Sequence, residues 1–145
     1  MKTKTIGLAS DHAGYALKQF VKDYLTKHGM EFKDYGTYNE ESCDYPDFAH
    51  PLARAVEQGV CDYGVAICST GNGICMTVNK HQGIRGALCW DKPLAEMARK
   101  HNDANILCLP AGYISAQKAL AIVATFFSTD FEGGRHERRV QKIPC

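Results

Sequence analysis

A chain of 145 residues, 45% hydrophobic and 23% charged, has the size and balance of one globular domain spanning 1–145, long enough to bury about two thirds of its unfolded surface. Its formal net charge of +1 leaves no electrostatic footprint for nucleic acid or an anionic membrane surface, and nowhere do the roughly 18 consecutive apolar residues of a membrane span run together. The cysteines at 43, 61, 68, 75, 89, 108 and 145 are odd in number and lack any Cys-x-x-Cys spacing, and Asp11 and His12 interrupt the first apolar stretch too early for a signal peptide; a reducing, cytoplasmic setting is expected.

In chain order, Thr5–Ala9 reads as a short buried strand and Ser10–Gly14 as a polar turn. Leu17, Phe20, Val21, Tyr24 and Leu25 then recur at helical spacing, with Lys18, Lys22, Asp23 and Lys27 on the other face, until His28-Gly29 closes the helix. A weaker strand spans Met30 to Tyr35, and a polar loop from Gly36 to Pro46 precedes a second helical stripe at Phe48, Leu52, Ala55 and Val56, with Pro51 in or near its first turn. Continuous apolar runs at Tyr63–Cys68, Ile84–Cys89 and Asn105–Leu109 suit strands covered on both faces. Between and after them fall a helix near Gly73–Lys80, one capped by Asp91 and one starting at Ser115. This rhythm predicts an α/β fold, a Rossmann-like doubly wound sheet of about five parallel strands flanked by helices. Residues 130–145 read as a polar tail whose Phe131, Val140 and Ile143 suggest docking on a partner subunit.

The stretch Val65–Gly73 carries the strongest chemical signal. An apolar run ends on Cys68, and Gly71 and Gly73 let the backbone turn before a helix resumes. Such a loop exposes backbone N–H groups that favour an anion. Ligands of open α/β sheets bind beyond the carboxyl ends of the strands, which brings the Asp11-His12 turn to the same edge. Arg135, Arg138 and Arg139 could hold a phosphate through their guanidinium groups. Taken singly, His12 also reads as a turn residue, Asp11 as a helix cap and the arginines as a solvated face.

Ser10-Asp11-His12-Ala13-Gly14, Asp44-Tyr45-Pro46, Ile67-Cys68-Ser69-Thr70-Gly71-Asn72-Gly73-Ile74, His101-Asn102-Asp103-Ala104-Asn105 and Gly133-Gly134-Arg135-His136 with Arg139-Val140 resemble the successive motifs of the type B ribose-5-phosphate isomerase family, which includes galactose-6-phosphate isomerase subunits. The resemblance implies aldose–ketose isomerisation of a phosphorylated sugar through an enediolate, without a metal or organic cofactor. It implies Cys68 as the base, and the N–H groups of Ser69, Thr70, Gly71, Asn72 and Gly73 with the Thr70 hydroxyl around the developing oxyanion. It further implies His101 as the ring-opening group beside Asn102, Asp11 and Tyr45 on the sugar, and His12, Arg135 and Arg139 on the phosphate. Ribose 5-phosphate is the expected substrate, with allose 6-phosphate or galactose 6-phosphate as alternatives.

Two positions depart from the family pattern: Ser69, where relatives commonly have glycine, and Gly112, where many have a phosphate-binding arginine. Some relatives place a glutamate base where Ile74 stands, which favours Cys68 as the base here. Isoleucine at 74 also disfavours a cysteine phosphatase, whose loop needs arginine six residues after the cysteine. A non-catalytic phosphosugar-binding protein stays open, since binding needs the nest and the arginines but not the thiol. His101 ends a helix running back to the amino edge of the sheet while Cys68 lies at the carboxyl edge, so a homodimer or dimer of dimers with shared sites is expected.

Overall fold

Apolar strands alternating with amphipathic helices produce a single parallel sheet. The strands β1 (Thr5–Ser10), β2 (Glu31–Asp34), β3 (Tyr63–Cys68), β4 (Gly86–Leu88) and β5 (Ile106–Pro110) lie in the order β2-β1-β3-β5-β4, every neighbouring pair parallel. The computed structural model describes residues 4–145, so the first three residues of the expected domain lie outside the described residues. Among the described residues no helix is long and apolar enough to cross a membrane.

Alternating side chains send the sheet's two faces into two cores. Ile6, Leu8, Val65, Ile67, Leu107 and Leu109 meet α1 (Tyr15–Lys27), α4 (Lys92–Asn102) and α5 (Ala116–Ser128) on one face. The other face is built from small residues, among them Ala9, Ala66, Cys68 and Cys108, under α2 (Tyr45–Glu57) and α3 (Asn72–Val78). Leu52 of α2 sits almost on the backbone there: a Cβ on Gly7 would stand 2.5 Å from its Cδ1. A side chain at position 7 would push α2 off the sheet.

Local chemistry moves several boundaries from their expected places. Helix α2 starts at Tyr45 because Pro46 occupies its first turn, where a missing N–H costs nothing; Pro51, expected near the start, lies in the helix interior. Strand β4 is shorter than the run Ile84–Cys89, since Ile84 N–H donates to His81 C=O and Arg85 N–H donates to Asn105 Oδ1 at 2.7 Å. Asn105 itself therefore precedes β5. Lys18, expected on the polar face of α1, is fully buried, its Nζ donating to Asp34 Oδ1 at 2.7 Å and to Thr37 C=O.

The stretch expected as a polar tail contains a helix that packs on its own subunit. Glu132 N–H donates to Lys100 C=O at 3.0 Å, and α6 (Arg135–Gln141) then packs against α4. Gly133 and Gly134, at φ +71° and +58°, supply the left-handed backbone that turns the chain into this helix.

Candidate active site

The strand order reverses between β1 and β3, where β1 leads outward to β2 and β3 leads the other way, the position beyond whose strand ends open α/β sheets bind ligands. Asp11 N–H donates to Ile67 C=O at 3.2 Å, tying the loop after β1 to β3. Gly14 is packed so tightly that a Cβ would lie 2.5 Å from the same carbonyl oxygen. Asp11 does not cap α1: its carboxylate accepts from Gly14 N–H at 3.0 Å and so shapes the loop. His12 Nδ1 accepts from Cys43 N–H at 3.2 Å, which in the neutral ring leaves the proton on Nε2.

Cys68 ends β3 with 5% of its surface exposed. The loop beyond it turns at Gly71 (φ +76°), where a Cβ would meet Leu88 Cδ1 at 2.4 Å. Among the described residues, the N–H groups of Ser69, Thr70 and Gly71 donate to no protein acceptor. The Asn72 N–H is already taken, donating to Thr70 Oγ1 at 3.2 Å. Helix α3 has only 7 residues, so the loop amides, more than a helix dipole, provide the positive potential at this edge. Tyr45 leans over the loop from α2: a Cβ on Gly73 would lie 2.5 Å from its Cζ.

The remaining expected residues stand elsewhere. His101 and Asn102 end α4 and, with His136, Arg139, Val140 and Ile143, line a cavity of about 370 Å³. Arg135 is exposed on the first turn of α6. Three residues separate Asn102 from β5, whose Ile106 pairs with Gly64 and whose Pro110 pairs with Cys68. At ~3.3 Å per residue, about 13 Å of strand divides the two clusters. The protomer thus groups Asp11, His12, Tyr45 and Cys68–Gly73 at one edge and His101, Asn102 and Arg139 at the other.

Cysteine environments differ sharply. Burial pushes the Cys89 thiol up to about 12 and raises Cys108 well above the ordinary range, which keeps both as inert thiols. Cys75 is shifted down by its hydrogen bond with Cys108. All seven cysteines are free.

One cluster escaped the sequence reading. His50 Nδ1 lies 2.7 Å from His81 Nε2, His81 Nδ1 lies 3.1 Å from Glu57 Oε1, and Glu57 Oε2 accepts from Gly83 N–H at 2.8 Å. With Glu57 ionised and both rings neutral, this chain fixes the tautomers and leaves the His50 Nε2 lone pair free. His50 lines a groove of about 220 Å³ with Tyr45, Gly73 and Lys80. No spacing pattern could flag residues that meet only when α2 packs on α3.

Comparison with known proteins agrees with this architecture. Residues 6–143 match the family model described as Ribose/Galactose Isomerase. The chain belongs to the ribose/galactose isomerase family. Within it, ribose-5-phosphate isomerase B of Escherichia coli (strain K12) is 39% identical over 140 residues, covering 97% of this chain and 94% of the relative. A crystal structure of a ribose 5-phosphate isomerase from Thermotoga maritima superposes with a TM-score of 0.96 at 48% identity, with 99% of each chain covered. The Mycoplasma genitalium ribose-5-phosphate isomerase B, solved with bound ribulose-5-phosphate, gives a TM-score of 0.92 at 40% identity, covering 96% of this chain and 93% of that one.

Proposed function

We propose that this chain interconverts ribose 5-phosphate and ribulose 5-phosphate, with Cys68 as the base. The observation that carries the reading is the position of Cys68 at the end of β3, followed by a loop whose Ser69, Thr70 and Gly71 N–H groups have no protein acceptor among the described residues. As thiolate, Cys68 takes the proton from C2 of the open-chain aldose and returns it to C1, while the O2 proton passes to O1 between the two oxygens of the cis-enediol, giving the ketose. The negative charge that builds on O1 in the enediolate is held by the amides of Ser69, Thr70 and Gly71 and by the Thr70 hydroxyl. A preorganised donor of this kind lowers such a barrier by about 3 kcal/mol. Gly73 keeps the helix start open for Tyr45, and Asn72 borders the loop on the substrate side. Asp11 and Tyr45 contact the sugar hydroxyls. Cys68 carries the carbon-bound proton and the two enediol oxygens exchange the other, so the scheme calls on neither a metal nor an organic cofactor.

The two half-sites make this an enzyme of paired subunits. A second copy supplies His101 and Asn102 to open the furanose ring, together with Arg135 and Arg139, which join His12 on the phosphate. The 370 Å³ cavity at the His101 edge, with Arg139 in its wall, supports that division of labour.

The test is exchange in deuterated water. Incubation with ribose 5-phosphate should place solvent deuterium at C2 of the recovered aldose, and Cys68→Ser should abolish it. Unchanged exchange in Cys68→Ser would eliminate the thiolate base, and no exchange with any five- or six-carbon aldose phosphate would leave a phosphosugar-binding protein.

A further inference from the structure

We propose that His136 is a positioning residue for His101, a buried imidazole platform that holds the ring-opening histidine in one orientation toward the cavity. This rests on the assignment of His101 made above. The two rings lie parallel, with centroids 4.3 Å apart and an interplanar angle of 11°. His136 is 7% exposed and is the buried residue of α6, a short helix that the Gly133-Gly134 turn and the Glu132–Lys100 backbone bond deliver onto the last turn of α4. The fold of the tail therefore serves to bring one imidazole under another.

Simple filling does not account for a histidine at this position. Its Nε2 is buried without a hydrogen-bond partner, the nearest carboxylate oxygen being Glu132 Oε1 at 3.7 Å. A buried polar atom left unpaired costs stability, and an aromatic hydrocarbon would fill the space without that cost. Burial, then the charges of His101, Arg135 and Arg139, hold the His136 pKa below the usual histidine value, against the opposing pull of Glu132. Protonation of the buried ring is thereby disfavoured, and its flat face stays stacked on His101. Parallel aromatic rings at this separation attract one another through their stacked faces. The terminal torsion of a free histidine is broad; the stack narrows it, leaving His101 with a fixed edge facing the cavity it shares with Asn102 and Arg139. Positioning of this kind matters for proton transfer to the ring oxygen.

The same trio, His101, Glu132 and His136, has ligand atoms within 4.8 Å of one another and is of metal-binding type. Parallel rings, however, aim their in-plane lone pairs alongside one another instead of at one point, and Arg135 and Arg139 add positive charge beside them. The arrangement is a stack and not a chelate.

Ribulose 5-phosphate separates ring opening from the carbon chemistry, because a ketose phosphorylated on C5 cannot close a furanose. His136→Ala should slow turnover of ribose 5-phosphate by about tenfold while exchange of the C1 hydrogen of ribulose 5-phosphate with deuterated water stays near the wild-type rate. His136→Phe, which keeps the stacked face, should recover most of the loss. Thermal melts of both variants identify any general loss of folding, in which case His136→Phe alone carries the comparison with wild type. Unchanged turnover in His136→Ala, a well-folded His136→Phe as slow as His136→Ala, or equal slowing of turnover and exchange would overturn the inference. His101→Ala is the control: if it slows turnover selectively and His136→Ala does not, only the platform fails, whereas no selective slowing in His101→Ala removes the assignment of His101 as well.

Discussion

Ser69 and Gly112 occupy one another's space: a Cβ on Gly112 would stand 2.8 Å from the Ser69 hydroxyl oxygen and 3.2 Å from the Ser69 carbonyl oxygen, which itself accepts Gly112 N–H at 2.9 Å. The contact couples the two positions: a side chain at 112 meets the Ser69 hydroxyl, whereas glycine at 69 would remove that contact and leave the 3.2 Å approach to the backbone carbonyl oxygen.

This pair predicts strong non-additivity. Gly112→Arg alone should lower kcat/KM for ribose 5-phosphate, since it displaces Ser69 at the oxyanion loop. Ser69→Gly combined with Gly112→Arg should restore activity and lower KM through the added guanidinium. A double-mutant cycle on kcat/KM should give a coupling of about 1–2 kcal/mol, and additive effects would show the two positions to be independent.

The proposed sharing of sites between subunits predicts complementation. Cys68→Ser and His101→Ala homodimers should each be inactive, while purified heterodimers of the two should recover about half the activity of a wild-type dimer, one centre being intact and the other doubly damaged. Heterodimers confirmed by native mass spectrometry yet inactive would place His101 and Cys68 in the same subunit's site.

Lys18 and Asp34 predict an acid-sensitive fold. Lys18 is fully buried, and its hydrogen bond holds the Asp34 carboxyl below its ordinary value even though burial pulls the other way. A depressed carboxyl contributes stability that is complete above its unfolded pKa of about 4 and is lost as pH falls through the folded value, because the unfolded chain binds more protons there. Asp34→Ala should cost about 3 kcal/mol at pH 7 by leaving the lysine unpaired. In urea unfolding the gap between wild type and variant should narrow below about pH 4; a constant gap would mean that the ion pair is not the source.

The order and type of the elements were legible because the chain's periodicity is local. Strand β3 falls at Tyr63–Cys68 as its apolar run requires, Asp91 accepts Lys92 N–H at 2.9 Å and Ser115 accepts Lys118 N–H at 3.1 Å at the helix starts where they were expected. Connectivity likewise put the Asp11-His12 turn and the Cys68–Gly73 loop at one sheet edge, since strand-to-loop junctions follow from the order of the elements, whereas Tyr45 was named only through the family resemblance. Lys18, read as solvated from its helical position, is buried because Asp34 and Thr37 arrive from elsewhere in the chain. His136 under His101, the chain Glu57–His81–His50, and the exclusion between Ser69 and Gly112 are likewise meetings of residues 24 or more positions apart. By itself the sequence determined the fold class and the identity of the loop after β3, because hydrophobic period and backbone freedom are properties of neighbouring residues. Which side chains touch, such as His136 under His101, only the tertiary structure decided, because long-range contacts depend on packing that no local pattern encodes.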